Sequence, residues 1–200
     1  MAKQIVAGEI YESITGQLFE LGRQLRQQKG YPFNPFQLRF HLQAAIEGRF
    51  APGEIYSVTL GGKTTTDQIA QSWKDAKLRI DDYITQANFP LKPHDEATVE
   101  IEIIDPIFSF SEEEGLEYLQ RAGLDQPTEE YALRFAEQYG KTTTGDKPYI
   151  IFLHKSWRCP RFRPYTLYVG RELGGRRLGL SRSDCGFGAG SVLAGVRPRR

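Results

Sequence analysis

The sequence predicts an α+β fold: N-terminal helices, then a mixed part that ends in a small antiparallel sheet. Three observations carry this. Apolar residues recur at helical spacing between residues 9 and 84, interrupted by one alternating segment. From Ala97 the apolar period falls to two, as in a half-buried strand. After Gly140 the chain holds only short apolar or alternating runs separated by Gly-rich turns.

Ile10, Ile14, Leu18, Leu21 and Leu25 lie on one face of a helix running from about residue 9 to 28, with Gly30 as a left-handed stop. Gly16 and Gly22 each weaken that helix by ~1 kcal/mol relative to Ala, so it depends on packing. Asn34-Pro35 reads as an N-cap and first helical residue, opening a second helix with Leu38, Leu42, Ala45 and Ile46 inward, closed by Gly48. The short Tyr31-Pro32-Phe33 link favours an antiparallel pair.

Residues 54–60 alternate as a strand, stopped by Gly61-Gly62. Thr66 is positioned to cap a third helix with Ile69, Trp73, Ala76, Ile80 and Ile84 inward, ending before Pro90. Val99, Ile101 and Ile103 alternate with Glu100 and Glu102 until Asp105-Pro106 breaks the strand. Ser111 and Glu114 form a capping box for a short helix, and Thr128 opens another carrying Tyr131, Ala132, Phe135 and Tyr139 inward. Residues 149–153 are apolar at every position, as in a strand covered on both faces. Strands at 165–169 and 177–180, joined by Gly174-Gly175, and a closing strand at 192–196 complete the sheet.

The organisation expected is a helical part at 1–92, a mixed part at 93–196 and a basic tail at 197–200. Alternatively, the strand at 54–60 joins the later sheet and fuses the two parts into one core. Hydrophobic residues make up 40% of the chain, with twelve Phe, ten Tyr and two Trp, enough for a packed core and too much for global disorder. No apolar run reaches the ~18 residues a bilayer requires. The start, Met1 to Val6 followed by Glu9 and Glu12, is no signal peptide, so the expected address is the cytoplasm.

Charge is divided unevenly. Residues 1–145 hold 14 Lys/Arg against 22 Asp/Glu, a net of −8, whereas residues 146–200 hold 12 against 3, a net of +9. A basic end on an acidic body implies either an acidic partner, nucleic acid included, or two parts of one molecule that attract each other.

The chemical motifs fall short of their requirements. Gly62-Lys63-Thr64 lies between a strand and a helix, but Ser57 stands where a phosphate loop has its first Gly. Gly186, Gly188 and Gly190 mimic a dinucleotide fingerprint, yet only ten residues remain to form the helix it requires. His154, Cys159 and Cys185 provide three zinc-type ligands where a structural site needs four. The same residues make a third functional reading, a cysteine-dependent enzyme with His154 as base. Two reduced, packed thiols are the simpler account. Glu112, Glu113 and Glu114 suit the first turn of a helix, and Asp81-Asp82 a helix exterior. No catalytic residue, metal or cofactor is assigned.

The stretch from Lys155 to Arg163 is the main candidate. It interleaves Lys155, Arg158, Arg161 and Arg163 with Trp157 and Phe162. Guanidinium groups contact phosphates while rings stack on unpaired bases or anchor protein interfaces. The competing account has the rings covering the sheet and the arginines solvated or paired.

Across residues 149–157, 165–170, 174–180 and 194–197, and upstream at Pro32-Phe-Asn-Pro35, residues 46–50 and Phe89-Pro90, the chain resembles a group of uncharacterised bacterial proteins met often in candidate-phylum genomes. That resemblance covers most of the chain and implies no activity. By its order of elements, the C-terminal part is similar to C-type-lectin-like modules, including sulfatase-modifying-type domains and the variable targets of diversity-generating retroelements. It lacks their Arg-Leu-Pro before Thr128 and their cysteine spacing. Such modules bind ligands through loops on a small sheet.

The reading is therefore a non-enzymatic binding or protein-interaction protein, its partner an unknown protein or small ligand and no membrane. The contact surface includes Trp157, Arg158, Arg161, Phe162, Arg163, Arg182, Asp184 and the loop from Ser181 to Ser191. A nucleic-acid-binding accessory protein is the alternative.

Overall fold

A computed structural model describes residues 9–26, 42, 54–106, 109–141, 149–159, 163–172 and 175–198. The chain is α+β, as its periodicities predict. It forms two compact units, 1–51 and 52–200, rather than dividing near residue 92. The boundary lies earlier because the strand at 54–62 belongs to the later sheet.

In the first unit α1 spans Glu9–Leu25. Along its apolar stripe Ile14 and Leu18 are exposed, whereas Leu21 and Leu25 are half-buried. The second predicted helix lies outside the described residues except for Leu42, which is helical.

The second unit is a seven-stranded mixed sheet with helices on both faces. In chain order it contains β1 (Glu54–Gly62), α2 (Thr66–Asp75), β2 (Arg79–Ile80), β3 (His94–Ile104), α3 (Glu112–Arg121), α4 (Glu129–Gln138), β4 (Tyr149–Arg158), β5 (Pro164–Glu172), β6 (Gly175–Arg182) and β7 (Ser191–Val196). Across the sheet the strands run β1-β3-β7-β4-β5-β6-β2. The expected small antiparallel sheet is the β4–β5–β6 meander, one part of a larger whole. The closing strand β7 lies between β3 and β4, antiparallel to the first and parallel to the second, and so joins the two halves.

Two helix ends show why local chemistry sets these boundaries. Thr65, one residue before the expected Thr66, caps α2 in a reciprocal box with Gln68. The helix ends at Asp75, well short of the predicted face through Ile84. Lys77 takes a left-handed φ of 57°, and the Leu78 N–H closes back onto the Trp73 carbonyl at 2.9 Å. Ile80 is thereby released into β2, while Ile84 reaches the core through a tight turn. Ser111 and Glu114 form the predicted capping box of α3.

One face of the sheet packs against α2 and α4, with Trp73, Phe135, Phe152 and Phe89 at its centre. Among the described residues the other face is covered only in the middle, where Leu119 of α3, Phe110, Leu124 and Phe187 meet Ile151, Leu153 and Leu193. Hence the first half of β4, residues 149–153, is apolar at every position: Ile150 and Phe152 face one layer, Ile151 and Leu153 the other. At Gly179 the Tyr168 ring lies so close that a Cβ would sit 2.6 Å from it, so only glycine lets that ring lie on β6.

The outer edge of β1 is closed by side chains. Gln138 accepts from the Thr59 N–H at 3.0 Å and donates to the Thr59 carbonyl at 2.7 Å, imitating a strand. The Tyr139 hydroxyl donates to the Ser57 carbonyl at 2.7 Å, and Glu130 accepts from the Gly61 N–H at 2.8 Å. Four successive groups that would template another strand, from the Ser57 carbonyl to the Gly61 N–H, are thus occupied. Gln138→Ala is expected to lower stability by about 1 kcal/mol, since water replaces the lost partners. It should also introduce self-association. Urea denaturation and sedimentation at several concentrations check both.

Candidate functional site

The C-terminal end of β4 departs from regular pairing. Phe152 pairs with Leu167 and Trp157 with Tyr165, so residues 153–156 stand opposite Thr166 alone. Four of the backbone groups around it find side chains. Thr166 donates its hydroxyl to the Phe152 carbonyl, and Gln126 donates to the Leu153 carbonyl at 2.5 Å. His154 serves two more: its Nε2 accepts from the Leu167 N–H at 2.9 Å, and its Nδ1 contacts the Lys155 carbonyl at 2.8 Å. A backbone amide can only donate, so Nε2 is the acceptor and Nδ1 carries the proton. Glu129, 3.8 Å from Nδ1, is too distant to take that hydrogen bond.

This imidazole is fully buried and lies edge-on to Phe89. Burial drives its pKa down, against smaller opposing effects from the Lys155 carbonyl, Glu129 and Glu112. Both nitrogens are committed, so His154 is neither a zinc ligand nor a base for a thiol. Cys159 is buried, Cys185 is exposed, and both are free thiols. Among the described residues no three metal-ligating side chains converge.

The excursion delivers the chain to the hairpin end between β4 and β5. Trp157 is half-buried there, with ring centroids 5.5 Å from Phe89, 5.7 Å from Tyr83 and 6.3 Å from Tyr165. Its ring is therefore packed against the core rather than free; Tyr83, 53% exposed, is the ring that reaches solvent. Strand alternation places Arg158 on the opposite face of the sheet from Trp157. Arg161 and Phe162 lie outside the described residues.

The cations separate into two classes. Arg197 pairs with Glu102 at 2.8 Å and Glu100 at 3.4 Å; Arg177 pairs with Glu172 at 3.1 Å and Asp81 at 3.6 Å. Arg182 grips Asp184 through two bonds of 2.9 Å, which hold that carboxyl below its usual range. In contrast the side chains of Lys155, Arg158, Arg163 and Arg171 take no hydrogen bond or ion pair among the described residues, and all four residues are exposed. Three of these four are at the hairpin end.

Beside it a cleft of about 470 Å³ opens on the face that α3 leaves bare. Tyr149, Tyr165 and Tyr168 form one side, Ser181 and Arg182 the edge, and residues 185–189 the opposite wall. That wall is fixed by Phe187, which exchanges two backbone hydrogen bonds with Phe110. Tyr168 donates to Glu172 at 2.7 Å; burial, then this carboxylate, raises the phenol's pKa. A larger opening of about 590 Å³ lies over β3 beside Arg197, whose charge Glu100 and Glu102 already match. It holds none of the contact residues that the sequence predicts.

The remaining motifs resolve into structure. At Gly62-Lys63-Thr64 the Gly61, Thr65 and Thr66 N–H groups are taken by Glu130, Gln68 and Gln86, leaving no phosphate cradle. The Gly186–Gly190 loop leads into β7, not a helix. No described helix is long and apolar enough to cross a membrane. No family model, curated protein or solved structure matches the chain.

Two histidines give opposite pH dependences. His154 is kept neutral in the fold, so below about pH 6.5 the unfolded chain binds a proton that the fold refuses, and stability falls on acidification. His94, hydrogen-bonded to Glu130, has a raised pKa and favours the fold below that pH, losing its contribution as pH rises through the raised value. In a His94→Gln variant, urea melts should show stability falling from pH 6.5 to 5.5, by up to about 1.4 kcal/mol per unit. A flat profile would mean that His154 charges freely.

Proposed function

We propose that this is a non-enzymatic binding protein whose contact surface is the end of the sheet where β4 turns into β5, together with the adjoining cleft. The single observation that supports it most is the sorting of cations. Arg177, Arg182 and Arg197 are matched by carboxylates within the molecule, while Lys155, Arg158 and Arg163 at one hairpin end are not. Solvated, unmatched cations beside an exposed ring and an open cleft suit an acidic partner.

Tyr165 links the two features, since it lines the cleft and contacts Trp157. The resemblance to C-type-lectin-like modules, extended to ligand placement, puts the ligand at loops on the sheet, where the 185–189 wall stands. Free thiols suit a reducing compartment, and we place the protein in the cytoplasm. Nucleic acid is a second reading, favoured by the net +9 of residues 146–200.

Labelled deca-glutamate and a dT15 oligonucleotide, titrated at low salt by fluorescence polarisation, separate the two. The Arg158→Glu/Arg163→Glu variant should lose tenfold or more in polyanion affinity with its thermal midpoint unchanged, whereas Arg197→Ala should leave affinity intact. Equal binding by wild type and the charge-reversed variant would refute the surface. Tighter binding of dT15 than of deca-glutamate, falling steeply with salt, would favour nucleic acid.

A further inference from the structure

The two edges of the sheet are treated differently. At β1 the Ser57 carbonyl, both backbone groups of Thr59 and the Gly61 N–H are met by side chains of α4 and of Tyr139 at its end. At the other edge β2 contributes only two residues, paired with Arg177 and Leu178 of the eight-residue β6. The Leu178 carbonyl accepts from the Asp81 N–H at 3.1 Å, so its backbone groups point away from β5. A strand's period of two then directs the N–H and C=O groups of Leu180 and Arg182 to the same outer edge. Arg182 caps the 3₁₀ turn Ser183–Cys185, which engages its carbonyl, and no bond is made from outside the sheet to the other three groups among the described residues.

We infer that β6 receives an acidic, extended peptide segment of a partner protein as an added strand along Leu180–Arg182. This rests on the contact surface proposed above and supplies its mode of binding. A strand in line with β2 would continue the sheet where β2 stops. Its side chains would alternate between the face of Leu180 and Arg182 and the face of Ser181, and all three residues line the cleft. The acidic character follows from charge complementarity. Tyr165 lies opposite Arg182 and Pro164 opposite Arg158, so the unmatched cations stand at the same end of the sheet, Arg163 just before β5 and Arg158 on β4. Three main-chain groups make a short template, so anchoring in the cleft and on Arg158 and Arg163 contributes the rest.

Arg182 allows a sharp test. Its φ of −69° and ψ of 121° are those of proline, so Arg182→Pro removes the outward N–H without straining the backbone. Arg182→Ala keeps that N–H and removes only the charge. The full chain is panned against a phage-displayed random 12-residue peptide library, and recovered peptides are titrated against both variants and against Arg158→Glu/Arg163→Glu, each verified by thermal melting. The expected peptides are rich in Asp, Glu and β-branched residues. They bind Arg182→Pro at least tenfold more weakly than Arg182→Ala.

Peptides that bind both Arg182 variants equally, yet are lost on charge reversal, overturn strand addition and leave the surface standing. A library yielding no acidic binder, or binders indifferent to all three variants, overturns both.

Discussion

Every backbone N–H and C=O that a sheet strand turns away from its neighbours must find another partner or meet water, and this requirement shapes the molecule. Its sheet is open and wide, and one of its strands makes a four-residue excursion. At β1 the solution is a surrogate strand of side chains from α4. At the β4 excursion it is the His154 imidazole, which accepts from one strand and donates within the other. Both devices place a polar side chain where a backbone group would otherwise stand. Among the described residues the Leu180 backbone and the Arg182 N–H at the β6 edge have no such device, and the unmatched cations lie at the same end of the sheet. The contact surface we propose falls where the fold leaves backbone and charge unanswered.

The charge asymmetry of the sequence has a mixed explanation. Part of the basic end is spent inside the molecule: Arg197 reaches back to β3, and Arg177 and Arg79 meet at Glu172. Arg134, almost fully buried in α4, bonds Glu137 and the Thr64 carbonyl, tying the helix to the turn before α2. The two accounts of the basic end, internal attraction and external partner, therefore apply to different residues. Among the described residues Lys155, Arg158, Arg163 and Arg171 are left for the second, and beside the first three Trp157 belongs to the core.

Much of the fold was legible because it follows from periodicity and punctuation. The both-faces-buried character of β4, the capping box at Ser111 and the alternation of β3 are local properties, and the structure contains each. What was not legible depends on partners distant in sequence. Ile80 and Ile84 continue the apolar face of α2, yet a left-handed Lys77 ends that helix early; helical spacing alone cannot distinguish a long helix from a helix, turn and short strand. The place of β7 between β3 and β4 has no local signal, since any apolar six-residue strand could occupy an edge or a centre. At the site, composition points to Arg182, Asp184 and the following loop; Arg182 and residues 185–189 border the cleft, and Asp184 is held by Arg182. The chemistry of Trp157 suggests a contact, and its packing against Phe89 cannot be read from the sequence. His154 invited a metal or a base because its type is versatile; its two backbone partners become visible only when strands are paired. Gln138 and Tyr139 carried no signal at all, being ordinary residues at the end of an amphipathic helix.

Amide hydrogen exchange on the free protein reads both edges of the sheet at once. The account requires the Thr59 and Gly61 amides, though at an outer edge, to exchange slowly because Gln138 and Glu130 hold them, while the Leu180 and Arg182 amides exchange rapidly. Slow exchange at Leu180 and Arg182 in the monomer would mean that the β6 edge is already closed, and the claim that it is the place of contact would be contradicted.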